Sequence, residues 1–262
     1  MKLGMSSAGF YGRMETEEEA SFLRQFDLDV CEIFLQTRSE YSGDFGRVVK
    51  EHLRGLPCVS VHPKGTQFEP DLFGGSPRQR GDAMETLTHV LDAGQALGAS
   101  WYVFHGPSGA RSPMTPERMA NLPERFAAMQ AEAKNRNMEI LWENVNWCTL
   151  RDLACVQSAL KLLPDLHFVL DVKQAYLGKV DPFDMLHQME GQIRHVHLLD
   201  WDASGKLCLP GEGVMDFLRL FRELKQQGYD GALILEPYAA QTTDTEAVKR
   251  SLAFLREIME RV

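Results

Sequence analysis

The chain of 262 residues has no apolar run long enough to span a membrane, which needs about 20 residues, and no CxxC pair among its five cysteines. Its first residues also lack the apolar segment of a secretory signal. Three of the cysteines, Cys31, Cys58 and Cys148, lie in or beside apolar runs, as buried reduced thiols do. We therefore expect a cytoplasmic protein that is not associated with a membrane.

Positive charge is also scarce. The chain carries 28 lysines and arginines against 37 aspartates and glutamates, which gives a net charge of −9. A protein with this balance has no general attraction for phosphate backbones or anionic lipid surfaces. The composition therefore argues against a nucleic-acid partner and is compatible with a small-molecule ligand.

Eight β-like runs alternate with amphipathic helical stretches, and several of the runs are apolar on both faces, as buried parallel strands are. The runs cover residues 2–6, 30–35, 58–62, 101–105, 139–143, 167–171, 193–198 and 232–236. Ser76-Pro77 and Thr115-Pro116 are typical helix starts. Eight such units without a linker predict a single-domain (β/α)₈ TIM barrel over residues 1–262, close to the typical ~250 residues. A doubly wound open sheet would need a glycine fingerprint after the first strand, and GFYG at 9–12 is not one.

Ionisable residues end most of these runs. They are His62, His105, Glu143, Asp171 and Glu236, and the corresponding residue of the run 193–198 is His197. In a barrel the carboxyl ends of the strands form one face, where functional residues concentrate. Each of the three carboxylates shares a strand face with the apolar residue two positions earlier. If those apolar residues fill the barrel interior, the carboxylates point into the mouth above it.

Convergence of Glu143, Asp171 and Glu236 with the imidazole of His197 poses an electrostatic problem. Like charges at ~4–6 Å raise each other's pKa strongly unless a positive charge lies between them. Apart from Lys173, no strand end supplies a cationic side chain. A divalent cation is the simplest solution, and three oxygens with one nitrogen suit Mn²⁺, Mg²⁺, Co²⁺ or Zn²⁺.

Two residues below the predicted mouth are harder to interpret. His195 shares a face with His197 and should lie one layer deeper, where a core histidine bonded to a neighbour is the simpler interpretation. Glu32 stands in the middle of the second strand. We expect it to support His62 or His105, or to form a structural pair.

Seven short motifs follow one another in the order found in a known superfamily. They are VSVH (59–62), FHG (104–106), WEN (142–144), LDVKQA (170–175), HVHLLD (195–200), LPGEGVMDF (209–217) and LILEPY (233–238). Together they resemble the xylose isomerase-like (β/α)₈ superfamily, which holds sugar isomerases, 3-epimerases, inosose-processing enzymes and metal-dependent AP endonucleases. In its isomerase and epimerase branches the resemblance implies one metal ion held by Glu143, Asp171, His197 and Glu236, the four residues that the charge argument selects.

The chain departs from this superfamily at three places. Gln174 stands where many relatives carry a histidine, and Ala203 stands where many epimerases carry an arginine. The AP endonuclease branch needs an Asp-x-His after the seventh strand, whereas residues 201–210 contain no histidine. These differences argue against a multi-metal phosphodiesterase.

The site residues and the resemblance lead to one preferred reaction class. We expect a divalent-metal-dependent isomerase or epimerase of a small sugar or related polyhydroxy carbonyl compound, acting through a metal-stabilised enediolate. Glu143 and Glu236 would transfer the proton, while Asp171 and His197 act only as ligands. The alternatives are an inosose-type dehydratase or lyase on the same scaffold, a metal-dependent AP endonuclease, and a binding protein without activity.

The remaining polar residues of the mouth are expected to contact the substrate. His62 and His105 would bond its hydroxyls or support the metal ligands. Lys173 would act as an electrophile or anion partner, unless it is a solvated loop lysine, and Gln174 would replace the missing histidine as a neutral donor. Residues 63–76 and 106–115 are long loops that we interpret as lids, or as contacts of a homo-oligomer.

Overall fold

The computed structural model describes residues 1–108 and 115–262, in which eight parallel strands form a closed barrel. The strands are β1 (Lys2–Ser6), β2 (Val30–Leu35), β3 (Cys58–Pro63), β4 (Trp101–Phe104), β5 (Glu139–Glu143), β6 (Phe168–Asp171), β7 (Ile193–Leu198) and β8 (Ala232–Leu235). The barrel closes because β1 pairs with both β2 and β8. The predicted (β/α)₈ fold is therefore confirmed.

Helices connect the strands around the outside of the barrel. They are α1 (Thr16–Leu23), α2 (Gly43–Leu53), α3 (Pro77–Leu97), α4 (Pro116–Lys134), α5 (Leu153–Leu162), α6 (Val172–Leu177), α7 (Pro182–Gln188), α8 (Phe217–Gln226) and α9 (Thr245–Glu260). Two of them, α6 and α7, follow β6, and a short antiparallel ribbon of Asp200–Trp201 with Leu207–Cys208 follows β7. In the part of the chain that the structure describes, no helix combines the length and apolar character that crossing a bilayer requires.

The two predicted helix starts are formed by the expected capping contacts. The Ser76 side chain accepts a hydrogen bond from the Gln79 N–H, and α3 is followed by Gly98, whose φ of 87° is left-handed. The Thr115 side chain accepts from the Arg118 N–H at the start of α4. These caps satisfy backbone donors that the first helical turn leaves unpaired.

The core has an outer layer and a small inner layer. Outside the strands, the rings of Phe104, Phe126 and Trp142 pack against one another, with centroids 5.3–6.4 Å apart. Residues of the opposite strand parity fill the inside in two small apolar clusters, Val103–Leu141–Val169 and Val30–Ala232–Ile234. The inner clusters place an apolar floor beneath the carboxyl ends of the strands, as strand alternation predicts.

The predicted lids lie partly outside the described residues. Residues 109–114, which include Arg111, belong to the second predicted lid and are not described. In the first, a 3₁₀-helix over Thr66–Phe73 buries Glu69, Leu72 and Phe73. The Phe73 ring packs on Trp142 on the outside of the barrel, so it does not face the mouth. This segment is thus anchored to the fold through its second half.

We predict that Gly4→Ala destabilises the protein. A Cβ at Gly4 would lie 2.5 Å from the Ile234 Cδ1 and 2.8 Å from the Val30 carbonyl oxygen, inside the closed barrel. Overpacking of this kind costs about 1–3 kcal/mol in the free energy of unfolding, which urea denaturation measures. As a control, Gly81→Ala on the exposed side of α3 meets no atom within 4 Å and should stabilise the protein by up to about 1 kcal/mol. Equal stabilities of the two variants would contradict the prediction.

Candidate metal centre

The strand register brings the predicted site residues to one level of the barrel. Asp171 on β6 pairs directly with His197 on β7, which pairs on its other side with Ile234 of β8. Glu143 is the last residue of β5, and Glu236 comes directly after β8. The four side chains therefore stand at the carboxyl ends of four consecutive strands.

These four side chains converge. One potential ligand atom of each lies within 4.8 Å of those of the other three. The Nδ1 of His197 is 3.1 Å from Glu143 Oε1, 3.4 Å from Glu236 Oε2 and 4.0 Å from Asp171 Oδ2. All four residues are buried, and Glu236 is the most exposed at 8%. The structure thus places three carboxylates around one imidazole in a site largely shielded from water.

Lys173 enters the same site. Its Nζ donates to Glu236 Oε2 at 2.7 Å and lies 3.3 Å from Asp171 Oδ2. The ammonium also lies 4.7 Å from the ring centroid of Tyr238, within the range of a cation–π interaction. Lys173 is only 2% exposed, so the alternative of a solvated loop lysine is wrong. Burial lowers the pKa of this ammonium, but Asp171 and Glu236 raise it by more, which keeps the group charged.

Burial and charge act on each carboxyl group in a different balance. Burial raises the pKa of Glu143, but the adjacent imidazoles of His105 and His197 lower it well below its ordinary value. For Glu236 the charges of Lys173 and His197 outweigh burial and lower the pKa to about 2. For Asp171 burial is dominant and the pKa rises to about 7. The carboxyl between two other acids is thus the one that holds a proton most strongly.

The imidazole of His197 is surrounded by acids. Burial lowers its pKa, but the charges of Glu32 and Glu236 and the hydrogen bond to Glu143 raise it well above its ordinary value. Without a bound cation this ring therefore carries part of the compensating positive charge. A cation that bound beside the carboxylates would displace one proton from the His197 ring.

The donor set fits a divalent metal ion. Glu143 Oε2 and Asp171 Oδ2 are buried and accept no hydrogen bond of good geometry from the described residues, although His105 Nε2 lies 2.9 Å from the first and Lys173 Nζ 3.3 Å from the second. Incompletely satisfied buried carboxylate oxygens are costly, and coordination to a cation would satisfy them. The residues that could hold the ion are Glu143, Asp171, His197 and Glu236, and three carboxylates with one imidazole suit several divalent ions.

His62 and His105 lie beside Glu143, as their strand-end positions predict. His105 Nε2 is 2.9 Å from Glu143 Oε2 and 2.8 Å from His62 Nε2. His62 Nδ1 lies 3.2 Å from the Pro63 carbonyl oxygen, which can only accept. The Nδ1–H tautomer of His62 satisfies both contacts, because its Nε2 can then accept from His105. The burial of His62 lowers its pKa, in keeping with this neutral form.

Two amide side chains connect the ends of β5 and β6 to neighbouring backbone. Gln174 lies on α6 and accepts a hydrogen bond from the Asn146 N–H at 3.3 Å. Asn144 donates to the Asp171 carbonyl oxygen at 2.9 Å and accepts from the Asp171 N–H at 2.8 Å. Sequence reasoning missed Asn144, although it is the last residue of the WEN motif. Its two bonds fix the backbone of Asp171 and hence the direction of its carboxylate.

A second hydrogen-bonded group lies directly below the site. His195 is one layer deeper than His197, as predicted, and pairs with Val169 and Ala232. Among the described residues Glu32 bonds His195 and His197 rather than His62 or His105, so of the two expectations the contacts match the structural pair. The reason is that β2 and β7 face each other across the barrel interior.

Exposed aromatic rings flank the polar site. Trp147 is 51% exposed and its ring meets the His105 ring edge-on at 5.8 Å. Tyr238 is 45% exposed above Lys173. Trp201, by contrast, is buried and stacks on Tyr176 with centroids 4.0 Å apart. Two of the three aromatics that follow strand ends 5, 7 and 8 are therefore available to a ligand.

Residues 20–258 match the family model of the xylose isomerase-like TIM barrel, so the chain belongs to this family. Among characterised relatives, fructoselysine 3-epimerase of Escherichia coli O157:H7 is 21% identical over 253 residues, covering 90% of each chain. Inosose dehydratase of Geobacillus kaustophilus (strain HTA426) is 29% identical over 89 residues, which cover 27% of this chain and 29% of the dehydratase. The solved structure of a D-tagatose 3-epimerase-like protein matches with a TM-score of 0.80 at 20% identity, covering 100% of this chain and 98% of the other. At this identity the structural likeness shows the fold.

We predict that Lys173→Met strongly destabilises the metal-free protein near pH 8. The substitution removes the ammonium that neutralises Asp171 and Glu236 and leaves buried carboxylates unpaired. Breaking a buried ion pair on one side costs about 3–5 kcal/mol. Urea denaturation in the presence of EDTA measures the effect.

Lys249→Met is the matched control for this substitution. Lys249 pairs with Glu246 at 2.8 Å on the surface of α9, and both side chains are exposed. Loss of an exposed pair costs about 1 kcal/mol or less. Similar unfolding free energies for the two variants would show that the Lys173 ammonium does not stabilise the cluster.

Proposed function

We propose that this protein is a divalent-metal-dependent epimerase of a ketose or a closely related polyhydroxy ketone. The observation that carries the proposal is the convergence of three carboxylates and one imidazole at the mouth of the barrel. Three buried acids in contact need a compensating cation, and a cation beside carboxylates is suited to proton abstraction next to a carbonyl group. We propose residues 1–262 as one catalytic domain.

The substrate class is supported by the relatives and by the surroundings of the site. Fructoselysine 3-epimerase and the D-tagatose 3-epimerase-like protein are named for inversion at C3 of a keto sugar. The exposed rings of Trp147 and Tyr238 beside a polar, acidic pocket offer apolar faces next to hydrogen-bonding groups, as a sugar requires. We therefore place a ketose, with its carbonyl group one carbon from the inverted centre, in this mouth.

Glu143, Asp171, His197 and Glu236 would hold the metal ion. When bound, the ion supplies a Lewis acid that lowers the pKa of the substrate C–H bond next to the carbonyl group. The ion could be Mn²⁺, Co²⁺, Zn²⁺ or Mg²⁺, because all four accept oxygen and nitrogen ligands. Asp171 and His197 act as ligands only.

Glu143 and Glu236 are the proposed proton-transfer groups. Each has two carboxylate oxygens, so one oxygen can serve as a ligand while the other reaches the substrate. One glutamate takes the proton from the carbon next to the ketone, and the other returns a proton to the opposite face. The two residues stand on β5 and directly after β8, on either side of the β6–β7 pair. They therefore approach the mouth from two directions, as inversion requires.

The other polar residues bind and orient the substrate. Lys173 is charged and next to both Asp171 and Glu236, so its ammonium can donate to the oxygen on which negative charge develops. His105 and His62 form a connected pair beside Glu143 and would bond hydroxyl groups. Gln174 would add a neutral donor from α6. We place the enzyme in the reducing cytoplasm on the basis of its buried free thiols at positions 31, 58 and 148.

Dehydration is the second candidate function. The partial match to inosose dehydratase favours it, since water loss also begins with proton removal next to a ketone. Release of water and accumulation of a dehydrated ketone would separate this reaction from reversible epimerisation. Cleavage of abasic DNA has less support, because residues 201–210 contain no histidine and the net charge is −9.

We expect the metal-loaded protein to exchange a C3 proton of at least one ketose with solvent deuterium. Proton NMR in D₂O with a panel of 2-ketohexoses and fructosamines measures the exchange and the appearance of the epimer. Glu143→Gln and Glu236→Gln should reduce the exchange rate by about 10²–10⁴-fold at saturating metal, since each removes a proton-transfer group.

Glu139→Gln is the matched control, because Glu139 stands at the opposite end of β5 and bonds His167 at 2.5 Å. It should retain the exchange rate. Elemental analysis of each variant separates loss of the metal from loss of the proton-transfer group. Absence of exchange with the whole panel by metal-loaded protein would contradict the epimerase proposal, and water loss from an inosose would favour dehydration instead.

We also predict that metal binding strengthens as pH rises. The pKa of Asp171 is raised to about 7, so below this pH an arriving cation must displace its proton, and His197 must give up one as well. The apparent association constant should rise at least tenfold per pH unit from about pH 5.5 to about pH 7 and more slowly above. Isothermal titration calorimetry in buffers of different ionisation enthalpy measures the constant and the protons released. A constant that does not change over this range would refute the prediction.

A further inference from the structure

Glu32 lies beneath the metal centre, in the middle of β2, and is fully buried at 0% exposure. A single oxygen, Oε2, makes all of its side-chain hydrogen bonds among the described residues. It lies 2.7 Å from Ser60 Oγ, 3.2 Å from His195 Nε2 and 3.1 Å from His197 Nε2. Its other oxygen, Oε1, has no partner among these residues.

The number of contacts on this oxygen indicates where the hydrogen atoms lie. An ionised carboxylate oxygen can accept several hydrogen bonds, whereas a protonated one would donate to only one of the three neighbours. Acceptance from all three therefore requires a proton on the Nε2 of both His195 and His197. The nitrogen of His197 that is left for a metal ion is then Nδ1, which faces Glu143, Glu236 and Asp171.

We propose that Glu32 is a positioning residue for the metal centre, which makes this inference rest on the proposed function. Its carboxylate holds the His197 ring with Nε2 downward and Nδ1 toward the three acids, and its negative charge makes Nδ1 a stronger donor to a cation. Carboxylate–histidine–metal arrangements of this kind fix both the tautomer and the orientation of the ligand.

His195 and Ser60 hold the carboxylate in turn. They approach Oε2 from β7 and β3, so the side chain of Glu32 is fixed from two strands besides its own. His195 and His197 both contact Oε2, and a carboxylate oxygen can accept more than one hydrogen bond, so the bond from His195 does not replace the bond from His197. This arrangement gives the buried His195 a definite function.

The test compares metal binding by wild type and Glu32→Gln with Mn²⁺ and Co²⁺. The glutamine keeps the shape but is neutral: its amide oxygen is a weaker acceptor for His197 than a carboxylate oxygen, and its N–H₂ group cannot accept at all. Titration calorimetry should show Kd raised about 10–100-fold, and the visible absorption of bound Co²⁺ should shift as the imidazole ligand is lost or turned. Glu19→Gln is the matched control, since Glu19 is equally buried but lies on α1 and bonds Gln36. Its Kd and spectrum should equal those of wild type.

A second measurement needs no variant. In Zn²⁺-loaded wild type with ¹⁵N-labelled histidine, long-range proton–nitrogen NMR should show His197 protonated at Nε2. A proton at Nδ1 instead, or an unchanged Kd in a folded Glu32→Gln, would overturn the inference even if the enzyme epimerises a ketose. Conversely, a weakened Kd in Glu32→Gln supports it even if no ketose exchanges its C3 proton. Wild type that binds neither metal would overturn both this inference and the proposed function.

Discussion

Mutual repulsion among three buried carboxylates is the constraint on which the rest of this structure depends. Glu143, Asp171 and Glu236 meet within 4.8 Å of one another at the mouth of the barrel, where little water is present to screen them. The chain compensates with Lys173 and with a protonated His197. Such a site has partial charge compensation from its own side chains and a donor set that a divalent cation would satisfy better. Its preference for positive charge is the property on which the proposed proton transfer at a substrate carbon depends.

The barrel makes this concentration of charge possible. Parallel strands bring their carboxyl ends to one rim, and strand alternation turns every second side chain inward. The small apolar clusters of the interior, with Val103, Leu141 and Val169 in one of them, separate the polar site from the opposite end of the barrel. The large aromatic rings lie outside the strands and fix the strands against the helices. The packing of this outer layer thus offsets the repulsion among the three carboxylates at the mouth.

Hydrogen bonds to neighbouring groups determine the orientation of the side chains in this site. Glu32 receives the Nε2 side of His197, and the Asn144 side chain fixes the backbone of Asp171 from the neighbouring strand. On the other side of Glu143, His105 and His62 form a connected pair that ends at the Pro63 carbonyl group. Each potential ligand therefore has a neighbour that restricts its rotation. Families of this fold can vary substrate contacts at the loops while such internal supports keep the centre in place.

The sequence by itself determined the fold class and which side chains would meet at the mouth. Strand-length apolar runs of period two reveal the direction of Glu143, Asp171 and Glu236, because alternation is a local property of the backbone. It did not determine the position of Lys173, since α6 begins at Val172 and strand parity ends there. It also could not pair Glu32 with His197, which are 165 residues apart on strands that face each other across the interior. Closure of the barrel decides such contacts, because it sets distances between strands that are neighbours neither in sequence nor in the sheet.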